Sequence, residues 1–124
     1  MSGLIYLAGP YSHADADVRQ QRFVEHCIAA AKLAELDRGA VFAPVVHGHS
    51  LCETGGLCRF EHDFWMRQCL PFLECADALL VLTLDGWRES KGTRAEIDLA
   101  EQLRIPVVAW SGDDAAAVVA LIDC

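Results

Sequence analysis

With 124 residues, 53% of them hydrophobic and 23% charged, the chain has ordinary globular composition and lies near the commonest domain size, so one domain over residues 1–124 is expected. A formal net charge of −8 excludes broad binding to polymeric nucleic acid, whose affinity rests on Lys and Arg against phosphates. One small anion stays admissible, because a helix amino terminus offers free N–H groups and local positive potential. No apolar run reaches the ~18 residues of a membrane span, and the start MSGLIYLAGPY lacks the pattern of a signal peptide. No membrane partner and a cytoplasmic location are therefore expected. Six cysteines without a secretion signal read as reduced thiols packed as small apolar groups.

In chain order, residues 4–8 read as a first strand ended by Gly9-Pro10. Apolar positions Phe23, Cys27, Ala30, Ala31 and Ala34 follow helical spacing and predict a helix over roughly residues 17–37, with Gly39 as its stop. Residues 40–44 form a second strand. Residues 45–57, with Gly and His, read as a long irregular segment, which in a small domain is usually functional or mobile. A second helix spans roughly residues 59–75, with Phe60, Phe64, Trp65, Cys69, Phe72 and Leu73 on its buried face; Pro71 should kink or split it.

The run from Asp77 to Val108 holds a buried strand (78–83), a polar loop (84–92), a helix opening at Thr93 (93–103) and another buried strand (105–109). Ser111-Gly112 leads into a short final helix through Leu121. The alternation of strand and helix, with continuously apolar strands, predicts an α/β fold: a flavodoxin-like, Rossmann-like three-layer sandwich on a parallel four-stranded sheet of order 2-1-3-4. That order brings the loop after the first strand and the loop before Glu96 to opposite sides of one crevice.

Glu96 is the pivotal residue. Thr93-Arg94-Ala95-Glu96 has the form of a capping box, which would fold the Glu side chain back onto its own helix. Alternatively the carboxylate stands at the sheet's carboxyl edge beside the N–H groups near Gly92 and Thr93, ionised at neutral pH and able to attack an anomeric carbon. Asp85 either turns the chain with Gly86 or acts in the site, hydrogen-bonding a sugar hydroxyl or sharing a proton with Glu96. Trp87 either packs over the core edge or stacks on a planar base. Gly9, Pro10, Tyr11 and Ser12 form a turn at the same edge, from which Tyr11 reaches a sugar and Ser12 a phosphate. Arg19 and Arg22 are solvated helix charges or phosphate partners. His47, His49, Cys52 and Cys58 are of zinc-ligating type, but their spacing matches no strong zinc pattern, and neither a metal nor another cofactor is expected.

IYLAGPY, a Trp-bearing second helix and the run DALLVL-DGW-ES-GTRAEIDLAEQLRIPV resemble the nucleoside 2-deoxyribosyltransferase-like superfamily. Within it the chain looks closest to a small bacterial branch with a Gly-Pro-Tyr start and a Gly-Trp-x-x-Ser-x-Gly loop, related to 2′-deoxynucleoside 5′-monophosphate N-hydrolases. The resemblance implies that Glu96, of the Gly-x-x-x-Glu segment opened by Gly92, is the nucleophile that cleaves an N-glycosidic bond. It further implies that Ser90, six residues earlier, holds a 5′-phosphate, that Tyr11 orients Glu96, and that Asp63 contacts the base. The implied partner is a small nucleoside or nucleotide, and the implied assembly a homo-oligomer. The alternative is a nucleotide-binding sensor module of the same fold without catalysis, in which Glu96 is only a cap.

Overall fold

The four apolar runs form strands β1 (Leu4–Ala8), β2 (Ala40–Phe42), β3 (Ala78–Leu82) and β4 (Val107–Trp110). In the computed structural model, which describes residues 3–122, they pair in parallel in the expected order β2-β1-β3-β4. Five helices connect and cover them: α1 (Ala16–Glu35), α2 (Pro44–Glu53), α3 (His62–Glu74), α4 (Lys91–Gln102) and α5 (Ala115–Ile122). The centre of the sheet is β1 and β3. All of β3, and β1 from Ile5 onward, is buried, which is why neither strand alternates apolar with polar residues.

Side chains divide between the two faces by strand parity. Ile5, Leu7, Leu80 and Leu82 pack with Leu33 of α1 and Val119 of α5. Tyr6, Ala8, Leu79 and Val81 point the other way, onto Cys69 and Leu73 of α3 and Ala100 of α4. Tyr6 is thus carried by β1 into the layer that holds α4.

Three local expectations are corrected. Residues 45–57 are not irregular: Pro44 sits in the first turn of α2, which runs to Glu53, and the chain turns at Gly56 with φ +74°. Packing outweighs the poor helix propensity of the His and Gly residues here. His49 is buried with its ring stacked on Phe23 at 4.0 Å, and a Cβ on Gly48 would meet the Trp65 indole at 3.3 Å. Pro71 does not split α3, because it and Arg67, whose carbonyl loses its helical donor, are both exposed to water. The left-handed residue ending α1 is Asp37 (φ 52°), ahead of Gly39.

The loop leaving β1 is seated on α1 through Gly9. A Cβ at Gly9 would lie 2.6 Å from Cε1 and 2.8 Å from Nε2 of His26, and 3.2 Å from the Leu82 carbonyl oxygen. His26 has no exposed surface, and burial holds its pKa down at about 4, so the ring is neutral at pH 7. Gly9→Ala is expected to overpack this contact and cost about 1–3 kcal/mol, read as a lower urea midpoint with unchanged m-value.

Candidate functional site

The start of α4 decides what Glu96 can do. Ser90 is the N-cap: its Oγ accepts from the Thr93 backbone N–H at 3.3 Å and from the Thr93 hydroxyl at 2.9 Å. The helix therefore opens at Lys91, two residues before the expected Thr93, and the Thr93–Glu96 capping box does not form. Glu96 stands in the second turn rather than the first, on the face turned to the sheet.

There the Tyr6 hydroxyl donates to Glu96 Oε2. Both groups are buried, Tyr6 completely and Glu96 to 8% exposure. Burial, then the charge of Glu96, drives the Tyr6 phenol far above its ordinary pKa, so it remains a donor. Burial raises the Glu96 carboxyl to about 7, while the bond from Tyr6 pulls it down. The expectation of a carboxyl fully ionised at neutral pH is thus corrected: desolvation outweighs hydrogen bonding, and the group titrates around neutrality. Cys69 on α3 completes the cluster, its thiol pushed up to about 11 by burial first and by Glu96 second.

Glu96 opens onto a cavity of about 1090 Å³ at the carboxyl edge of the sheet. Three walls meet there. The loop after β1 supplies Gly9, Tyr11 and Ser12; the start of α4 supplies Ser90, Gly92 and Thr93; α2 and α3 supply His49, Trp65 and Cys69. Tyr11 is held by a 2.8 Å hydrogen bond between its hydroxyl and His49 Nδ1, and His49 Nε2 lies 3.1 Å from Gln20 Oε1. Tyr6, not Tyr11, is the aromatic residue that holds Glu96.

Other expected members fall elsewhere. Asp85 and Trp87 line a separate cavity of about 230 Å³ formed by residues 83–89, and Trp87 packs on the core layer of α3 and α4. Asp63 is exposed, and neither it nor Pro10 lines the Glu96 cavity. Arg22 is half-buried and its guanidinium is already engaged. Its guanidinium donates to the carbonyls of Tyr11 (3.3 Å), Ser12 (2.9 Å) and Asp85 (3.0 Å), tying together the loops after β1 and β3. Arg19 reaches the cavity while bonding the His13 and Ala14 carbonyls. Among the described residues no group of three or more His, Cys, Asp or Glu is placed to hold a metal ion. His49, engaged with Tyr11, Gln20 and Phe23, belongs to the packing between α1 and α2.

Sequence reasoning missed Tyr6, Cys69, Trp65 and Met66 as members of the site. One signal for Tyr6 was available: it is the single polar tip in the strand LIYLA, and a buried phenol needs a partner.

Comparison with known proteins follows the same lines. A family model described as a domain of unknown function, DUF1937, matches residues 3–112. The chain belongs to the DUF1937 family. No curated protein matches this DUF1937 chain. Among solved structures it is similar to a 2-deoxyribosyltransferase from the psychrotolerant bacterium Bacillus psychrosaccharolyticus. The TM-score is 0.56 at 21% sequence identity, covering 86% of this chain and 70% of that one. The likeness shows a shared deoxyribosyltransferase-like fold. No helix among the described residues is long and apolar enough to cross a membrane.

The raised carboxyl has a consequence for stability. In the unfolded chain Glu96 titrates near 4.5, and in the folded protein near 7. The folded state therefore binds the proton more tightly, and stability falls as pH rises from about 4.5 to 7. Glu96→Gln, which keeps an acceptor for Tyr6, is expected to raise Tm at pH 8. The gain should be on the order of 3 kcal/mol and vanish below pH ~4.5, checked by thermal unfolding across pH.

Proposed function

We propose that this protein cleaves the N-glycosidic bond of a nucleoside or deoxynucleoside, or of its 5′-monophosphate, with Glu96 as nucleophile. The sugar passes to water in hydrolysis or to a second base in transfer. The observation that carries the reading is a buried carboxyl, bonded on one oxygen by Tyr6, opening onto a cavity at the sheet's carboxyl edge. A structural cap has no need of such burial. A nucleophile gains from it, because a desolvated carboxylate is poorly stabilised and its charge is dispersed as the new bond forms.

In the proposed sequence one Glu96 oxygen attacks the anomeric carbon as the carbon–nitrogen bond breaks. The electron pair leaves with the base, which takes up a proton. The glycosyl ester then yields to water or to the nitrogen of an incoming base, and the carboxylate is regenerated. Tyr6 fixes the second oxygen and so directs the first toward the sugar. No cofactor is required for these steps. For a monophosphate, Ser12 and the N–H groups at the start of α4 lie on the same cavity, and the exposed Lys91 adds positive charge. The fold shared with a 2-deoxyribosyltransferase supports the same substrate class.

A second reading, a nucleotide sensor without turnover, is favoured by one feature: burial raises the Glu96 carboxyl to about 7, which brings a protonated form able to donate a hydrogen bond within reach of neutral pH. The two separate on incubation with a panel of deoxynucleosides and monophosphates. Release of free base marks the enzyme; a rise in Tm with ligand and no release marks the sensor.

For the enzyme, Glu96→Ala is expected to lower base release by roughly 10³-fold or more at saturating substrate, with unchanged activity removing Glu96 as nucleophile. The working form is the carboxylate, so the rate should rise with pH through about 7. Tyr6→Phe removes the bond that lowers the carboxyl pKa. It is expected to move that limb to higher pH and cost about 10- to 100-fold at pH 7, measured as a pH–rate profile.

A further inference from the structure

We propose that Trp65 and Met66 form the wall on which the leaving base lies, and that the base is chosen there by shape and stacking, with little reading of its hydrogen-bonding edge. The inference rests on the glycosidic reading of the Glu96 cavity and assigns its base-binding end.

Position on α3 comes first. Cys69 is the α3 residue in contact with the Tyr6–Glu96 pair, and Trp65 precedes it by four residues. The two share a helix face, about 6 Å apart along the axis, and both line the cavity that holds Glu96. A carbon poised for attack by Glu96 lies roughly 3–3.5 Å from the carboxylate oxygen. A planar ring bonded to that carbon extends further into the cavity, over a distance comparable to one helical turn. The α4 amino terminus forms the wall on which a phosphate would sit, which leaves the α2–α3 side for the base.

The indole is already held in place. Its Nε1–H donates to the Arg59 carbonyl at 2.9 Å, which spends its polar group inside the protein. Gly48 of α2 admits the six-membered ring, with Cζ3 only 3.3 Å from where a Cβ would be. Phe64 meets the indole edge-on, with centroids 5.0 Å apart and planes at 89°. Only ring surface is left to offer a ligand, and little ordering entropy remains to be lost on binding.

The chemistry of the lining then says how a base is read. Among the described residues no Asn, Gln or Asp lines this cavity, and the two arginines that do are engaged, Arg19 with the His13 and Ala14 carbonyls and Arg59 with Glu61. Of the acids that do line it, Glu53 and Glu89 are exposed and Glu96 is engaged with Tyr6. The α2–α3 side offers indole, thioether and thiol groups and a single further imidazole, His62 at the start of α3, with His49 already engaged on both ring nitrogens. A wall of this kind discriminates by size, about 10- to 200-fold, whereas a hydrogen-bonding site reaches 10⁴ or more. The substrate class is therefore nucleosides of both purines and pyrimidines.

Indole fluorescence and turnover test this together. In Glu96→Gln protein, which binds without reacting, purine and pyrimidine deoxynucleosides are each expected to quench tryptophan emission. Trp65→Phe in that protein should remove most of the quenching while retaining part of the affinity. Trp65→Ala should weaken binding of every base by roughly 10-fold or more; it also removes the packing on Gly48 and lowers Tm, so affinity is measured well below its unfolding midpoint. In otherwise native protein, kcat/KM across the four bases should spread by no more than about 200-fold. Unchanged affinity in folded Trp65→Ala protein, or a preference beyond about 10⁴ for one base, overturns the proposal even if turnover is found. Trp65-dependent binding without turnover in native protein would retain the base wall and remove the glycosidic reading. No binding of any nucleoside would remove both.

Discussion

The hydrogen bond from Tyr6 to Glu96 joins the central strand of the sheet to the helix that closes the cavity. A carboxyl beneath the protein surface, 90 residues away in sequence from its partner, loses most of its hydration on folding, and nothing in α4 itself restores it. Tyr6 restores part of it by donating to one oxygen. Glu96 lines the cavity, and the balance between desolvation and that one bond leaves the carboxyl at about 7. The charged form is costly here, because a buried carboxylate bonded by one phenol is less well solvated than in water. Such a cost is intelligible at a site that needs a reactive carboxylate.

The rest of the architecture serves to keep that pair where it is. β1 turns Tyr6 to the α3–α4 face by strand parity, and Cys69 closes the layer over it. Ser90 caps α4 so that Glu96 falls in the second turn, beyond reach of its own amino-terminal amides. Arg22 spans the switch point by bonding carbonyls of both flanking loops, which ties the two sides of the crevice together. A guanidinium suits this task because its donors fan out in one plane and remain charged. The small cavity around Asp85 lies outside this frame. Its loop residues turn the chain after β3, as an Asp-Gly pair commonly does.

Specific residues show where linear reasoning succeeded. The strand order and parallel pairing follow from the apolar runs and their alternation with amphipathic helices, because a strand covered on both faces has no place for polar side chains. Glu96, Gly92, Ser90, Tyr11, Gly9 and Ser12 were recognisable as residues of one sheet edge. Their neighbourhood follows from chain topology alone, since every strand delivers its carboxyl end to the same side. Residues 45–57 were misread because helix propensity is weak there, and α2 is held by packing of His49 on Phe23 and of Trp65 against Gly48. Those contacts join residues from different helices, and no local pattern contains them.

What the amino-acid order determined by itself was therefore the layered α/β framework, the edge at which a ligand would lie, and the presence of a carboxylate there. Short-range physics suffices for this: hydrophobic periodicity, turn chemistry and strand parity act within a few residues. Only the tertiary structure decided that Glu96 is bonded by Tyr6 rather than capping its helix, and that Trp65, not Trp87, lines its cavity. The reason is that hydration loss and contact across layers depend on which distant side chains converge, and a buried charge takes its properties from those neighbours.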